Sequence, residues 1–249
     1  GLERVAMASK LFRPNPPNNG RESRRATGRG ILAGMSSDRV PRDLEDAFEL
    51  HRAPGRTAIV RSDFAAAFET HGLLVSPHGG ETARRVDGGR GDARLVSIAP
   101  GEDVVVRPGR RGGWPGRLVR ARYFLGDRFR EELVLTERLR RRGAPVPEPL
   151  AAVRRERRVG YETWLVTRRI EGARPAARAL RDTPEPRLRD LLEAAGRGIR
   201  RLHEAGGDHA DLNAWNVLLV NAEAREPEAW ICLLYTSDAA DEEDSVDLG

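Results

Sequence analysis

The chain has 249 residues, of which 39% are hydrophobic, and its formal net charge is +5. A chain of this length forms one large domain or two small ones, with enough residues to bury a substantial core. No apolar stretch approaches the roughly 18 residues that span a bilayer, and Lys10 is the only lysine, which excludes a P-loop of the G-K-[ST] type.

The first 34 residues show neither helical nor strand periodicity, and Pro14, Pro16 and Pro17 lie close together there. This composition is typical of a disordered segment, or of translated sequence upstream of a true start at Met35 or Met7. We therefore expect the folded part of the chain to begin at residue 35.

A hairpin and a helix are predicted next. The stretch "RLVSIAPGEDVVVRP" (94–108) has two β-rich runs on either side of the turn sequence "APGED". The stretch "DRFREELVLTERLRRR" (127–142) has apolar residues at helical spacing and is followed by Gly143 and Pro145, which end helices.

Two strands and a long helix follow. "PVPEPLAAV" (145–153) leads into the first strand, and "YETWLVTRRI" (161–170) predicts the second. After the proline-rich stretch 172–186, which we interpret as a linker, an amphipathic helix is predicted over residues 187–207. The pair Gly206-Gly207 ends it.

The last 18 residues differ from the rest of the chain. From Cys232 onward there are six acidic residues and no basic ones, so without them the net charge is 43 − 32 = +11. The string "CLLYTSDAADE" resembles the translation of a sequencing adapter, and we expect residues 232–249 to be foreign to the fold. Because Cys232 is the only cysteine, a disulfide framework, a thiol nucleophile and a cysteine-ligated metal are excluded with it, and no His pair has the spacing of a zinc site.

The stretch "DHADLNAWNVLL" (208–219) places His209, Asp211 and Asn216 just before an apolar strand. An ordinary loop with Asx turns is one interpretation. The other follows from the pattern H-x-D-L-x-x-x-N, which resembles the catalytic loop of the protein-kinase-like superfamily. Together with "VVVRPGRRGG" and "RRRGAPVPEPLAA", it is most similar to the bacterial 3-deoxy-D-manno-octulosonic acid kinases of the lipopolysaccharide core kinase family, over residues 88–231.

This resemblance implies an α+β, bilobal protein-kinase-like fold, with a small β-rich N-lobe (35–170) and the start of a helical C-lobe (171–231). Asp211 would orient and deprotonate the acceptor hydroxyl, Asn216 would ligate Mg²⁺, and His209 would be structural. The second metal-binding aspartate of the family, expected after "EAWI", is missing, so we expect this chain to be inactive as it stands.

In the N-lobe, Gly89 and Gly91 would cover the phosphates of ATP with backbone N–H groups, and a plain turn is the alternative. Kinases pair a strand lysine with a glutamate of the next helix. Since no lysine is present there, Arg107 is the candidate, with Glu131 as its expected partner and Glu132 as the second choice. A solvated surface pair is the alternative.

The resemblance further implies ATP- and Mg²⁺-dependent phosphorylation of the 4-hydroxyl of 3-deoxy-D-manno-octulosonic acid on a lipid A precursor, at the cytoplasmic face of the bacterial inner membrane. A heptose kinase or another small-molecule kinase is the alternative enzyme. Residues 107–130 hold eight arginines and four aromatic residues, which favours a lipid-linked acceptor or a peripheral membrane surface. Nucleic acid is not the expected partner, although a non-catalytic module binding anionic lipid or nucleic acid has the same composition, as does a solvated face.

Overall fold

The computed structural model describes residues 39–78, 83–85, 93–109, 128–158, 160–209 and 212–232. These residues divide into two compact units, the first within 34–134 and 148–169 and the second within 135–147 and 170–249. The first unit is rich in strands and the second in helices, which confirms the predicted α+β class.

The first unit is built on a seven-stranded antiparallel sheet with the order β1-β2-β6-β7-β5-β4-β3. Its strands are β1 (Phe48–Ala53), β2 (Arg56–Arg61), β3 (Arg84–Arg85), β4 (Arg94–Ala99), β5 (Glu102–Pro108), β6 (Pro149–Glu156) and β7 (Tyr161–Arg168). The predicted hairpin over residues 94–108 is confirmed as β4 and β5, and the two strands predicted after it are β6 and β7.

Alternate residues of each strand point to opposite faces of this sheet. One face is covered by α1 (Ala65–Thr70) and the residues flanking it, and we call it the α1 face; Val104, Val106 and Trp164 belong to it. The other is covered by the first half of α2 (Arg128–Arg141) and by residues 39–48, and we call it the α2 face.

Helix α2 confirms the helix predicted over residues 127–142. It ends at a glycine because Gly143 has a φ of +85°, a conformation that other residues rarely adopt. The N–H of Gly143 donates to the carbonyl of Arg140, and the N–H of Ala144 donates to that of Leu139. This is the Schellman arrangement of a helix C-terminus, and it accounts for the stop signal that the sequence contains.

The second unit packs α3 (Ala176–Asp182) and α4 (Glu185–Glu204) with a three-stranded sheet of order β10-β9-β8. The strands are β8 (Arg174–Pro175), β9 (Val217–Val220) and β10 (Glu228–Ile231). Helix α4 lies so close to β10 that a Cβ added to Gly198 would be 3.0 Å from the side chain of Ala229. The long helix and the strand after the loop are where the sequence predicts them, and "EAWI" forms β10.

The interpretation of residues 172–186 as a linker is wrong. This stretch forms β8 and α3, and Ala176, Ala179 and Leu180 are buried in the core of the second unit. Its prolines do not break structure, because Pro175 and Pro184 stand at the N-caps of α3 and α4, where no helical N–H is needed.

The predicted lobes stay a prediction. Residues 135–147 are assigned to the second unit. They group with the chain after residue 170 because Leu135, Leu139, Ala144 and Val146 are buried in the same core cluster as α3 and α4. The sequence pattern identifies an apolar helix over residues 127–142, but it does not show which core cluster each half of the helix belongs to.

Candidate active-site residues

In the first unit, Arg107 at the end of β5 forms an ion pair with Glu132 of α2, and the two side chains are 19% and 5% exposed. The guanidinium also lies over the ring of Phe129, with 4.9 Å between Cζ and the ring centroid. Phe129 and Glu132 are one helical turn apart, so a single side of α2 holds the guanidinium by charge and by cation–π contact.

The structure corrects the preference for Glu131 as the partner of Arg107. Successive helix residues are rotated by about 100°, so Glu132 lies on the same side as Phe129 and Glu131 does not. Glu132 is buried, whereas Glu131 is half-buried. The phase of α2 is set by its apolar contacts with the sheet, which the sequence of the helix alone does not reveal.

The carboxylate of Glu132 engages Arg107 through Oε1, while Oε2 is buried and has no hydrogen-bond partner in the part of the chain that the structure describes. Buried polar atoms without a partner are uncommon. A guanidinium carries five N–H donors in a fork that matches phosphate oxygens. The residues present therefore fit a nucleotide phosphate beside Arg107.

In the second unit, His209 is 6% exposed, and its ring Nε2 lies 2.7 Å from the carbonyl oxygen of Cys232. Because a carbonyl only accepts, Nε2 carries a proton and donates it. The backbone N–H of His209 donates to the side chain of Asp208 at 2.8 Å. These contacts fix the loop before β9 to the residue after β10, and the structural role of His209 stays a prediction.

Asn216 comes directly before β9 and is 4% exposed. Its N–H donates to the carbonyl of Asn213 at 3.0 Å, and its carbonyl accepts from the N–H of Cys232 at 2.8 Å. The side chain of Asn213 accepts from the N–H of Trp215 at 2.9 Å, which closes an Asx turn. The loop therefore has the Asx chemistry of the ordinary interpretation, and it also fixes the backbone of Asn216 at both ends.

An amide oxygen is a ligand that Mg²⁺ accepts. Across the residues described, however, no group of three or more His, Cys, Asp or Glu side chains can hold a metal ion. Asn216 is the magnesium ligand that the sequence analysis names, and it lies within the described residues. The assignment of Asn216 to Mg²⁺ stays a prediction.

Cys232 contacts His209 through its backbone carbonyl and Asn216 through its backbone N–H. Any residue other than proline can form the same two backbone bonds. The contacts are therefore equally compatible with a native residue and with the first residue of a foreign tail.

Several predicted residues lie outside the part of the chain that the structure describes: Gly89, Gly91, Asp211 and residues 110–127 of the arginine-rich stretch. Their assignments stay predictions. Within the described ranges, no helix combines the length and the apolar composition that crossing a bilayer requires.

Sequence analysis assigned no element to residues 39–78, which form β1, β2 and α1. The signal was present, because "APG" (53–55) separates two β-rich runs in the same way that "APGED" separates β4 from β5. These residues supply much of the cover of both sheet faces.

Comparison with known proteins gives a matching family, similar relatives and a similar solved structure. The model of the lipopolysaccharide kinase (Kdo/WaaP) family matches residues 80–236. A 3-deoxy-D-manno-octulosonic acid kinase of Xylella fastidiosa (strain M12) is 42% identical over 154 residues, which cover 60% of each chain. One of Xanthomonas campestris pv. campestris (strain B100) is 40% identical over 161 residues, 59% of each chain.

The chain thus spans about 60% of the length of the curated relatives it matches. Among solved structures, WaaP in complex with acyl carrier protein is similar with a TM-score of 0.43 and 20% identity, over 71% of this chain and 70% of that one.

Proposed function

Since the chain belongs to the lipopolysaccharide kinase (Kdo/WaaP) family, we propose that it acts in the transfer of the γ-phosphoryl group of ATP to a sugar hydroxyl. The observation that carries this proposal is the ion pair between Arg107 and Glu132. Kinase-like enzymes hold ATP with a basic residue of a strand that is paired with a glutamate of the following helix. Here an arginine takes the place of the lysine, which keeps the charge and changes the geometry of the phosphate contacts.

We further propose that the acceptor is the 4-hydroxyl of 3-deoxy-D-manno-octulosonic acid on a lipid A precursor. The names and the identities of about 40% of the matched relatives support this choice over a heptose. A lipid-linked acceptor requires access to a membrane surface, so the proposal includes peripheral association with the cytoplasmic face of the inner membrane.

The residues divide the chemistry as follows. Arg107 binds phosphate oxygens, and Glu132 keeps its guanidinium oriented. Asp211 orients the acceptor hydroxyl and takes its proton, while His209 holds the loop in place. Asn216 would ligate Mg²⁺, which when bound neutralises negative charge on the phosphates.

The test is the Asp211→Ala variant, made in the protein expressed from the complete native gene. We expect the rate of phosphate transfer from labelled ATP to the lipid A precursor to fall by about 100-fold or more, because the acceptor hydroxyl loses its base. Nucleotide affinity, measured by calorimetry, stays unchanged.

Asp190→Asn is the control, since this carboxylate lies on the surface of α4 and pairs with Arg187. Full turnover in Asp211→Ala would remove the role assigned to this residue. Preferred transfer to a heptose-bearing acceptor would contradict the choice of sugar.

A further inference from the structure

The residues that precede the matched family range contact the helix that carries Glu132. We propose that residues 39–48, which we call the N-terminal clamp, position helix α2 and thereby hold Glu132 against Arg107. The effect on phosphate transfer rests on the proposed function, whereas the effect on α2 does not.

The first observation is a shared core. Three apolar side chains of the clamp and three of α2 are buried in one cluster on the α2 face of the sheet. They are Val40, Leu44 and Phe48 of the clamp and Phe129, Leu133 and Val134 of α2. Leu44, Leu133 and Val134 are fully buried, so the contact between the clamp and α2 excludes solvent.

The second observation is polar. Arg130 follows Phe129 in the first turn of α2. Its guanidinium donates to the backbone carbonyl of Arg39. Since a backbone carbonyl is the acceptor, this bond depends on the path of the clamp and not on the identity of residue 39. Arg130 is 9% exposed, and a charged group at that depth needs hydrogen-bond acceptors.

The clamp itself is anchored to the sheet. A 3₁₀ turn over Arg42–Leu44 is closed by the N–H of Leu44 donating to the carbonyl of Pro41, and the N–H of Ser62 donates to the carbonyl of Ala47. The ring of Phe48 lies under the guanidinium of Arg61 at 4.6 Å. The clamp is therefore held in place by β1 and β2, and its contacts with α2 fix the position of one side of that helix.

The clamp contacts the helical turn that carries Glu132. Phe129 and Leu133 lie one turn before and one residue after Glu132, so a rotation or shift of this turn moves the carboxylate directly. Within the described residues, Oε2 of Glu132 has no hydrogen bond and Arg107 is the ion-pair partner of Oε1. The position of the carboxylate is thus set by the packing of the helix and not by a network around the carboxylate.

The chain offers a matched pair of variants for the test. Leu44 and Leu73 are both 0% exposed and both precede residue 80, but Leu44 packs on the α2 face and Leu73 on the α1 face. Leu44→Ala and Leu73→Ala therefore remove the same side chain from opposite faces of one sheet. Leu44→Met is the conservative variant that should restore the wild-type behaviour.

We expect the backbone amides of residues 132–134, which donate within the helix, to exchange hydrogen about tenfold faster in Leu44→Ala than in Leu73→Ala at matched global stability. In the protein from the complete gene, kcat/KM for ATP falls about tenfold in Leu44→Ala, mainly through KM, because Glu132 no longer orients Arg107. In Leu73→Ala both constants stay at the wild-type values.

Equal hydrogen-exchange rates of the α2 amides in the two variants would contradict the proposal that the clamp positions α2. Faster exchange of α2 with unchanged KM overturns its link to the Arg107–Glu132 pair. If the wild-type protein transfers no phosphate, the proposed function fails, and the exchange data still decide whether the clamp exists. If Leu44→Ala does not fold, Val40→Ala and its α1-face counterpart Val96→Ala repeat the comparison with a smaller truncation.

Discussion

The two faces of the seven-stranded sheet differ in what is buried beneath their cover. On the α1 face, Phe64, Phe68, Leu73 and Leu74 are buried in one apolar cluster with Trp164, and the indole N–H of Trp164 donates to the carbonyl of Leu73. On the α2 face, the cover includes a charged pair in which one carboxylate oxygen has no hydrogen bond from the described residues.

An apolar pair of similar volume packs at least as well as a buried ion pair, so stability alone does not explain the Arg107–Glu132 pair. The comparison indicates that the buried charged pair of the α2 face is kept for a purpose other than stability. Variants of the two faces should therefore differ in their effects on stability and on ATP binding.

The largest effect is expected from the α2 face. Glu132→Ala leaves the guanidinium of Arg107 in a largely buried place without its carboxylate, and we expect the free energy of unfolding to fall by about 3 kcal/mol. Urea unfolding followed by circular dichroism measures this loss.

The double variant Arg107→Met/Glu132→Leu removes both charges, and it should regain most of the stability while it loses nucleotide binding. A double variant that binds ATP as the wild type does would show that the pair is structural. Such a result would make the two faces equivalent in function.

A smaller effect is expected from Trp164→Phe on the α1 face. Trp164 is fully buried, and its indole N–H lies 2.7 Å from the carbonyl oxygen of Leu73. The variant leaves this carbonyl without a donor and opens a small cavity, which together cost about 2 kcal/mol. Urea unfolding measures the loss, and the affinity for ATP should not change.

Trp230→Phe is the matched control, because Trp230 is half-buried and its indole makes no hydrogen bond within the described ranges. Its cost should be clearly below that of Trp164→Phe. Weaker ATP binding in Trp164→Phe would show that the two faces are coupled and would end the distinction drawn between them.

The same contrast explains what could be predicted from the sequence. The β4–β5 hairpin, α2 and α4 follow from turn residues, periodicity and stop signals, all of which act within a few residues. The loop with His209 and Asn216 was located by a motif of fixed spacing. Each of these features is local in the chain.

Features that depend on distant contacts were not found. The sequence favours Glu131 as the partner of Arg107, because the phase of a helix is set by the surface it packs against and the sequence does not show that surface. The proline-rich composition of residues 172–186 predicts a linker, and only the neighbouring helices show that Pro175 and Pro184 are N-caps. The N-terminal clamp is defined by contacts between residues about 90 positions apart.

The smallest effect is expected at the end of the α1 face, where Glu162 of β7 lies opposite Arg155 of β6 and contacts it at 2.6 Å and Arg157 at 2.8 Å. Burial tends to raise the pKa of Glu162, but hydrogen bonds from Arg157 and Arg155 outweigh it, so the pKa lies below its usual range. The stabilisation is therefore fully present above the pKa of an unfolded glutamate, about 4.3, and is lost as the pH falls through the lower value of the folded state.

Glu162→Gln should thus lower the free energy of unfolding by about 1 kcal/mol or less at neutral pH, with the difference from wild type shrinking below about pH 4. Glu156→Gln is the control, because Glu156 lies on the same strand pair and forms no ion pair within the described residues. A difference that persists unchanged at pH 3 would show that Glu162 acts through packing and not through its charge. In that case the charge of Glu162 would contribute nothing to the stability of the α1 face, and the contrast with the α2 face would be sharper.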